Sequence, residues 1–280
     1  MRKLSKDTIT RKVFEAIRYI SYHPDPDMSA MLQDALNEEE SDIVRDVLNA
    51  ILENHRVSAS DRIPLCQDTG STVVFADLGI EVQLEEALQD SINRAVIQAQ
   101  RELPLRASIM KDPYALRQNS GNNSPGIVHI NSVSGSGLNM WICQKGGGAE
   151  NMSFLKMFNP GADHEEIVNY ISEKVIAAGS KPCPPLILGI GIGGNFETAP
   201  LLAKRALLEA LGREHPKNEY ALLERDIKDR VNAGGCGVQG FGGNHTVLAV
   251  HVLSAPCHIA SLPIAVNVEC HAHRHIRVEG

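Results

Sequence analysis

Three short stretches place residues of chemical use where they do nothing for secondary structure. "PLCQDTG" sets Cys66, Gln67 and Asp68 side by side at the mouth of an apolar run, "KPCPP" frames Cys183 with prolines, and "NVEC" closes on Cys270. Pro182, Pro184 and Pro185 lack N–H groups and fix φ, so Cys183 is expected on a stiff, extended loop outside any sheet interior. Thiolates carried on separate element ends can converge to hold one iron–sulfur cluster; the plain alternative for each is a small buried hydrophobe. Glycine and proline also gather in "QKGGGAEN", "GIGIGGN" and "GGCGVQGFGGNH", where the backbone could approach a ligand or simply turn.

Other chemistries find less support. Gly189, Gly191 and Gly194 fit G-x-G-x-x-G, but helix follows helix after them, and no acidic strand end comes about 20 residues on, as a dinucleotide site requires. A close-packed strand–helix turn is expected there instead. The thiols show no C-x-x-C pairing, and "ECHAHRHIR" has neither H-E-x-x-H nor a second close cysteine, so zinc is disfavoured and these histidines are expected at the surface. A G-x-S-x-G elbow and a Walker loop are both missing from the sequence, which leaves hydrolase and NTPase readings without a basis.

These loops need a scaffold. "TITRKVFEAIRYISY" and "SDIVRDVLNAILENH" show apolar residues at helical spacing, the second opening on Ser41. "TVVFADLG" predicts a strand, and "LEEALQDSINRAVIQAQRE" a helix whose acidic start, Glu85 and Glu86, suits a helix N-terminus. "GIVHINSV" and "LNMWICQKGGG" predict an antiparallel strand pair. Beyond them come a helix over "HEEIVNYISEKVIAAGS", a buried strand in "LILGIGIGG", two helices in "TAPLLAKRALLEALG" and "EYALLERDIKDRVNAG", and strands in "TVLAVHVLS" and "PIAVNVEC". The fold class expected is α+β: one domain over 1–280, with a helical N-terminal part (1–61) packed on a mixed-sheet, cluster-binding core (62–280).

Composition narrows the function. At 280 residues, 43% hydrophobic and 22% charged, the chain can bury a sizeable core. A net charge of -7 and the lack of basic runs speak against nucleic acid and anionic membranes. Charges interrupt the apolar residues of the N-terminus, so it lacks a signal-peptide core, and no segment approaches the roughly 20 apolar residues of a membrane helix. A cytoplasmic protein is expected, its six cysteines reduced.

The blocks "CQDTG", "QKGGGAENMS", "CPPLILGIGIGGNFETAPLLAKRALL" and "APCHIASLPIAVNVECHA" resemble those of class I fumarate hydratases, in order and spacing, from about Arg62 to the C-terminus. The resemblance is to the alpha subunit, or the N-terminal domain of single-chain enzymes, a family that includes L(+)-tartrate dehydratase alpha subunits. It implies a [4Fe-4S] cluster on Cys66, Cys183 and Cys270 with one iron open to substrate, and leaves Cys143, Cys236 and Cys257 as non-ligands. It further implies substrate contacts from Gln67 and Arg106, a loop at Gly146, Gly147 and Gly148 that closes on substrate, and acid–base roles for Asp68 and His258, expected as a hydrogen-bonded pair. Read on the residues alone, Asp68 could be an Asx turn before Gly70, His258 a core histidine and Arg106 a surface charge.

What the resemblance implies as activity is reversible hydration of fumarate to (S)-malate, a step of the tricarboxylic acid cycle. The alternative is dehydration of L(+)-tartrate to oxaloacetate, and a further one is a non-catalytic iron–sulfur redox protein. Asn244 stands where many relatives carry lysine and tartrate dehydratases can show "GN", whereas "CHIAS" and "KGGGAEN" favour fumarase. Single-chain relatives continue beyond the point where this chain ends, so a beta subunit carrying the rest of the active site, and a hetero-oligomer, are expected.

Overall fold

Helix α1 (Lys6–Tyr22) forms where the sequence predicts it because Ile9, Val13, Ile17 and Ile20 return to one face every three or four residues, and all four are buried. Ser5 caps it, its side chain accepting the Thr8 N–H. The computed structural model describes residues 2–279, and its architecture is α+β with two mixed four-stranded sheets. The chain forms two compact units: one of residues up to Asp25, Asn54–Gly147 and Arg274 onward, the other of Pro26–Glu53 and Gly148–His273.

The first unit holds β1 (Arg2–Leu4), α1, the end of α3 (Asp42–Asp61), β2 (Ser71–Gly79), β3 (Val82–Leu84), α4 (Leu88–Glu102), β4 (Ile127–Val133), β5 (Leu138–Lys145) and β10 (His275–Glu279). Its four-stranded sheet runs β10-β5-β2-β4, while β1 pairs with β3. Strand β4 lies parallel to β2, and β5 antiparallel to β2 on its other side. The expected β4–β5 hairpin is therefore not formed. The central strand inserts between them because Thr72–Ala76 is buried without interruption, the mark of a strand covered on both faces. Ile92, Ala95, Val96 and Ala99 of α4 join the α1 face and Val74, Met140 and Ile142 in one core.

Helix α4 starts at Leu88, later than its acidic approach suggests, and Ala87 gives no side-chain cap. Glu86 instead lies before the helix and accepts from Arg94 and from Ser91 Oγ at 2.6 Å. Those bonds, Arg94 first, hold its carboxyl down at about 2.

The second unit holds α2 (Pro26–Glu38), the start of α3, most of the short α5 (Gly147–Glu150), β6 (Phe154–Phe158), α6 (His164–Ala178), β7 (Leu186–Gly193), α7 (Thr198–Ala206), α8 (Asn218–Gly234), a 3-10 turn (Val238–Gly240), β8 (Val247–Ala255) and β9 (Leu262–Glu269). Its sheet order is β6-β9-β7-β8, with β8 parallel and β9 antiparallel to β7. Helices α6 and α8 pack Val168, Ile171, Ile227 and Val231 against Leu188, Ile190 and Val250.

The "GIGIGG" segment is a packing device. A Cβ on Gly189 would lie 2.1 Å from the Ala203 carbonyl oxygen, and one on Gly191 2.0 Å from that of Ala199, both on α7. The glycines let the helix backbone rest directly on β7. Gly191→Ala is accordingly expected to cost about 3 kcal/mol or more, lowering the melting temperature by on the order of 10 °C. At Gly137 the added Cβ meets nothing within 4 Å, so Gly137→Ala is the control, and equal melting of the two variants by circular dichroism would contradict the packing account.

Candidate active site

Asp68 owes its position to the turn before β2. Gly70 has φ +73°, and its N–H donates to Asp68 Oδ1 at 2.9 Å, an Asx turn of the kind aspartate favours before glycine. A Cβ on Gly70 would lie 2.2 Å from the Lys145 carbonyl oxygen, so only glycine lets this turn press on the end of β5. The second carboxylate oxygen does something else. Gly147 N–H donates to Asp68 Oδ2 at 2.7 Å, and Ser108 Oγ donates to Oδ1 at 3.2 Å. One carboxylate thus ties together its own turn, the glycine loop and the loop carrying Arg106.

The sheet register explains this meeting. Ser71 pairs with Lys145, so the residues entering β2 and those leaving β5 occupy the same sheet end. Gln67 is exposed there, and Cys66 is half-buried. Arg106 is exposed on the loop between α4 and β4, but its backbone is pinned. Asn123 Nδ2 donates to the Arg106 carbonyl at 2.9 Å, and Asn123 Oδ1 accepts the Ser108 N–H at 2.6 Å. The guanidinium is free to meet solvent or a carboxylate from a fixed stem.

Buried cations complete this part. A Cβ built on Gly146 would sit 3.5 Å from Asp68 Oδ2 and 3.9 Å from an Arg274 guanidinium nitrogen. Arg274 and Lys145 are both buried, giving the sheet end a positive character suited to a dicarboxylate. Ser108, Asn123, Lys145 and Arg274 all escape sequence reasoning. The "HAHRH" run reads as surface charge, yet His273 and Arg274 are buried, and His275 is only partly exposed, 3.8 Å from Asp25. These histidines are therefore not the surface residues the sequence suggests; the strand that follows them, β10, draws them into the fold.

In the second unit, Cys183 is exposed with φ +59°, a left-handed turn rather than the extended loop its prolines suggest. Its N–H donates to the Ser180 carbonyl at 3.0 Å, and the Pro184 carbonyl accepts from Gln239 through its N–H at 3.0 Å and its Nε2 at 2.6 Å. This closure outweighs the preference imposed by Pro184. Cys270 follows β9 directly, half-buried. Because Ile187 pairs with Glu269, Cys183 and Cys270 flank the same end of neighbouring strands. Exposed Gly148 belongs to this unit, where a Cβ on it would sit 3.5 Å from the Lys181 carbonyl oxygen.

His258 is elsewhere. It lies on the exposed loop joining β8 to β9, at the sheet end marked by the Gly193–Ala255 pair. Strand β7 has eight residues, about 25 Å at the usual rise of a strand, so His258 and the Cys183–Cys270 end are at opposite ends of one sheet. Its Nδ1 accepts the Ala260 N–H at 3.1 Å, so it is not a core histidine either.

The donor chemistry suits an iron–sulfur cluster. None of the six cysteines forms a disulfide, and Cys66, Cys183 and Cys270 each sit on a loop at a strand end. Cys270 Sγ is itself bonded, donating to Glu269 Oε1 at 3.8 Å; the remaining three cysteines have other settings. Cys143 is buried in β5 and its Sγ donates to the Val73 carbonyl at 3.5 Å, Cys257 Sγ donates to the Ser261 carbonyl at 3.3 Å, and burial pushes the Cys236 thiol up, against thiolate formation.

The family described as Fumarate hydratase (Fumerase) matches residues 10–279. The chain belongs to the fumarate hydratase family. It is similar to a protein of Methanocaldococcus jannaschii named "Putative L(+)-tartrate dehydratase subunit alpha", 36% identical over 271 residues that cover 95% of each chain. It is also 28% identical to the L(+)-tartrate dehydratase subunit alpha of Escherichia coli, over 98% of this chain and 92% of that one. Within the fumarate hydratase family the chain is thus a hydro-lyase alpha chain. Among the described residues no helix is long and apolar enough to cross a membrane.

Proposed function

We propose that this chain is the alpha subunit of an iron–sulfur hydro-lyase that converts L(+)-tartrate to oxaloacetate. The observation that carries the hydro-lyase reading is the Asp68 carboxylate, anchored by Gly70, Ser108 and Gly147 at the sheet end where Cys66, Gln67, Lys145 and Arg274 gather. Tartrate is preferred to the fumarate suggested by "CHIAS" and "KGGGAEN" because the relatives from Methanocaldococcus jannaschii and Escherichia coli both carry the tartrate name over nearly their whole length. Asn244 agrees with that choice.

In this reading Cys66, Cys183 and Cys270 hold a [4Fe-4S] cluster. When bound, that cluster supplies Lewis acidity toward the hydroxyl that leaves. The chain does the rest. Arg106 and Arg274 bind carboxylate, Gln67 orients the substrate, and the Gly146–Gly148 loop closes over it. Asp68 takes the proton from the carbon next to a carboxylate. Loss of that proton and of the neighbouring hydroxyl releases one water and leaves the enol of oxaloacetate, which tautomerises without any oxidant. A beta subunit supplies the remaining substrate contacts.

The test is anaerobic co-expression with a candidate beta partner, followed by assays of oxaloacetate from L(+)-tartrate and of malate from fumarate. Tartrate turnover with kcat/KM about tenfold or more above that for fumarate is expected, with little activity from the chain alone. Faster fumarate hydration would return the assignment to fumarase. Failure on both substrates, with the complex and its iron intact, would sink the hydro-lyase reading.

A further inference from the structure

The loop 103–126, between α4 and β4, carries Arg106 and Ser108. A connection this long with so little regular structure either serves a site or moves, and this one is fastened. Ser120 N–H donates to the Ile109 carbonyl at 2.7 Å, and Lys111 N–H to that of Gln118 at 2.7 Å, which folds the outer part back on itself. Side chains hold the inner part, and one of them holds both Arg106 and Ser108.

That side chain is Asn123, 3% exposed. Its Nδ2 donates to the Arg106 carbonyl at 2.9 Å and to Gln100 Oε1 on α4, and its Oδ1 accepts the Ser108 N–H at 2.6 Å. Both amide hydrogens and the amide oxygen are thus engaged within the fold. Gln100 settles which way the amide faces: its Nε2 donates to the Leu105 carbonyl at 2.8 Å, so its oxygen is what meets Asn123. The backbone of Asn123 is left-handed, φ +56°, a region that asparagine enters more readily than most residues. A buried amide with its bonds met in this way is rigid, since releasing any one of them leaves a polar group without a partner.

The consequence reaches both arms of the site. Ser108, whose N–H Asn123 fixes, donates its Oγ to Asp68 Oδ1 at 3.2 Å. Arg106, whose carbonyl Asn123 fixes, carries the exposed guanidinium. We propose that Asn123 is a positioning residue for the hydro-lyase reaction, holding Arg106 and Ser108 in register with Asp68 while touching no substrate itself. This role rests on those of Arg106 and Asp68 in the hydro-lyase reading. A displacement of about 1 Å caused outside the chemistry can cost about a hundredfold in rate.

Asn123→Gly in the assembled enzyme tests it, because glycine takes φ +56° without strain and the change removes the bonds to Arg106, Ser108 and Gln100 together. Its KM for L(+)-tartrate is expected to rise about tenfold and its kcat to fall about tenfold. Iron content should stay the same, and hydrogen exchange over 105–109, read by mass spectrometry, should quicken. Gln100→Leu frees the Leu105 carbonyl and one Asn123 donor but leaves Ser108 held. It should raise KM about threefold and keep kcat within about twofold, and it decides the matter should the glycine variant fail to fold. Ile17→Val, in the core of the same unit, should lower the melting temperature while leaving both constants and the exchange unchanged. Adding Ser108→Ala to Asn123→Gly should reduce kcat no further than the slower single variant, as expected of two residues on one path. Unchanged kinetic constants in Asn123→Gly, unchanged exchange, or losses that add in the double variant overturn the positioning role while the hydro-lyase reading stands. A parent complex inactive on both tartrate and fumarate removes that reading and the positioning role together.

Discussion

Asp68→Asn in the assembled enzyme is expected to lower kcat by about a thousandfold, within the range that a positioned acid–base group contributes. The substitution is nearly isosteric, and the reason for its effect is specific. Both carboxylate oxygens accept hydrogen bonds, Oδ1 from Gly70 N–H and Ser108 Oγ, Oδ2 from Gly147 N–H. A carboxamide has one acceptor oxygen, so whichever way it turns, its NH₂ group confronts a backbone N–H. That mismatch costs about 1–3 kcal/mol of stability, a loss that thermal melting measures independently of turnover. The expected pattern is a folded variant that retains iron, binds substrate with little change in KM, and turns over at a trace of the original rate. Full turnover by Asp68→Asn would remove Asp68 from the chemistry and leave it as a turn residue. Ser108→Ala removes one donor and leaves the two backbone ones, so a milder loss, roughly tenfold, should accompany it.

The second large effect concerns the thiols. Cys183→Ser and Cys270→Ser are each expected to strip most iron and sulfide from the anaerobically purified complex and to reduce activity at least about a thousandfold, because a serine hydroxyl is a poor substitute for thiolate at iron. Cys183 lies exposed on a left-handed turn and Cys270 at a strand end beside it in register, so neither change disturbs a packed interior. Cys257→Ser is the matched control at an exposed cysteine whose Sγ already bonds a carbonyl. Iron and sulfide analysis, with the visible absorption of the cluster, reads all three. Iron lost from Cys257→Ser but kept in both Cys183→Ser and Cys270→Ser would move the cluster to the other end of that sheet. If all three variants keep their iron, the cluster itself is in doubt.

Much of this protein was legible in one dimension, for local reasons. The helices α1, α3, α6 and α8 follow from apolar residues at three- and four-residue intervals, and β2 and β7 from unbroken apolar runs. The four glycine and cysteine blocks announced the family, and glycine and flanking prolines constrain the backbone wherever they occur. Helix α2 escaped because Pro26 and its acidic neighbours look like a turn, although proline is at home in the first turn of a helix. The short strands β6 and β10 carry too few residues to show a period.

What only the tertiary structure decided was adjacency. Local pattern made β4 and β5 partners, whereas burial of β2 on both faces placed that strand between them. The same long-range register brought Gly147 to Asp68 across 79 residues, set Cys183 beside the end of β9, and sent His258 to the opposite end of that sheet. It also buried Arg274 and His251, whose neighbours in sequence say nothing of their surroundings. Residue types and local spacing determine which chemistry this chain is equipped for; which groups share a site depends on strand order, and strand order is settled by how the sheets cover their faces.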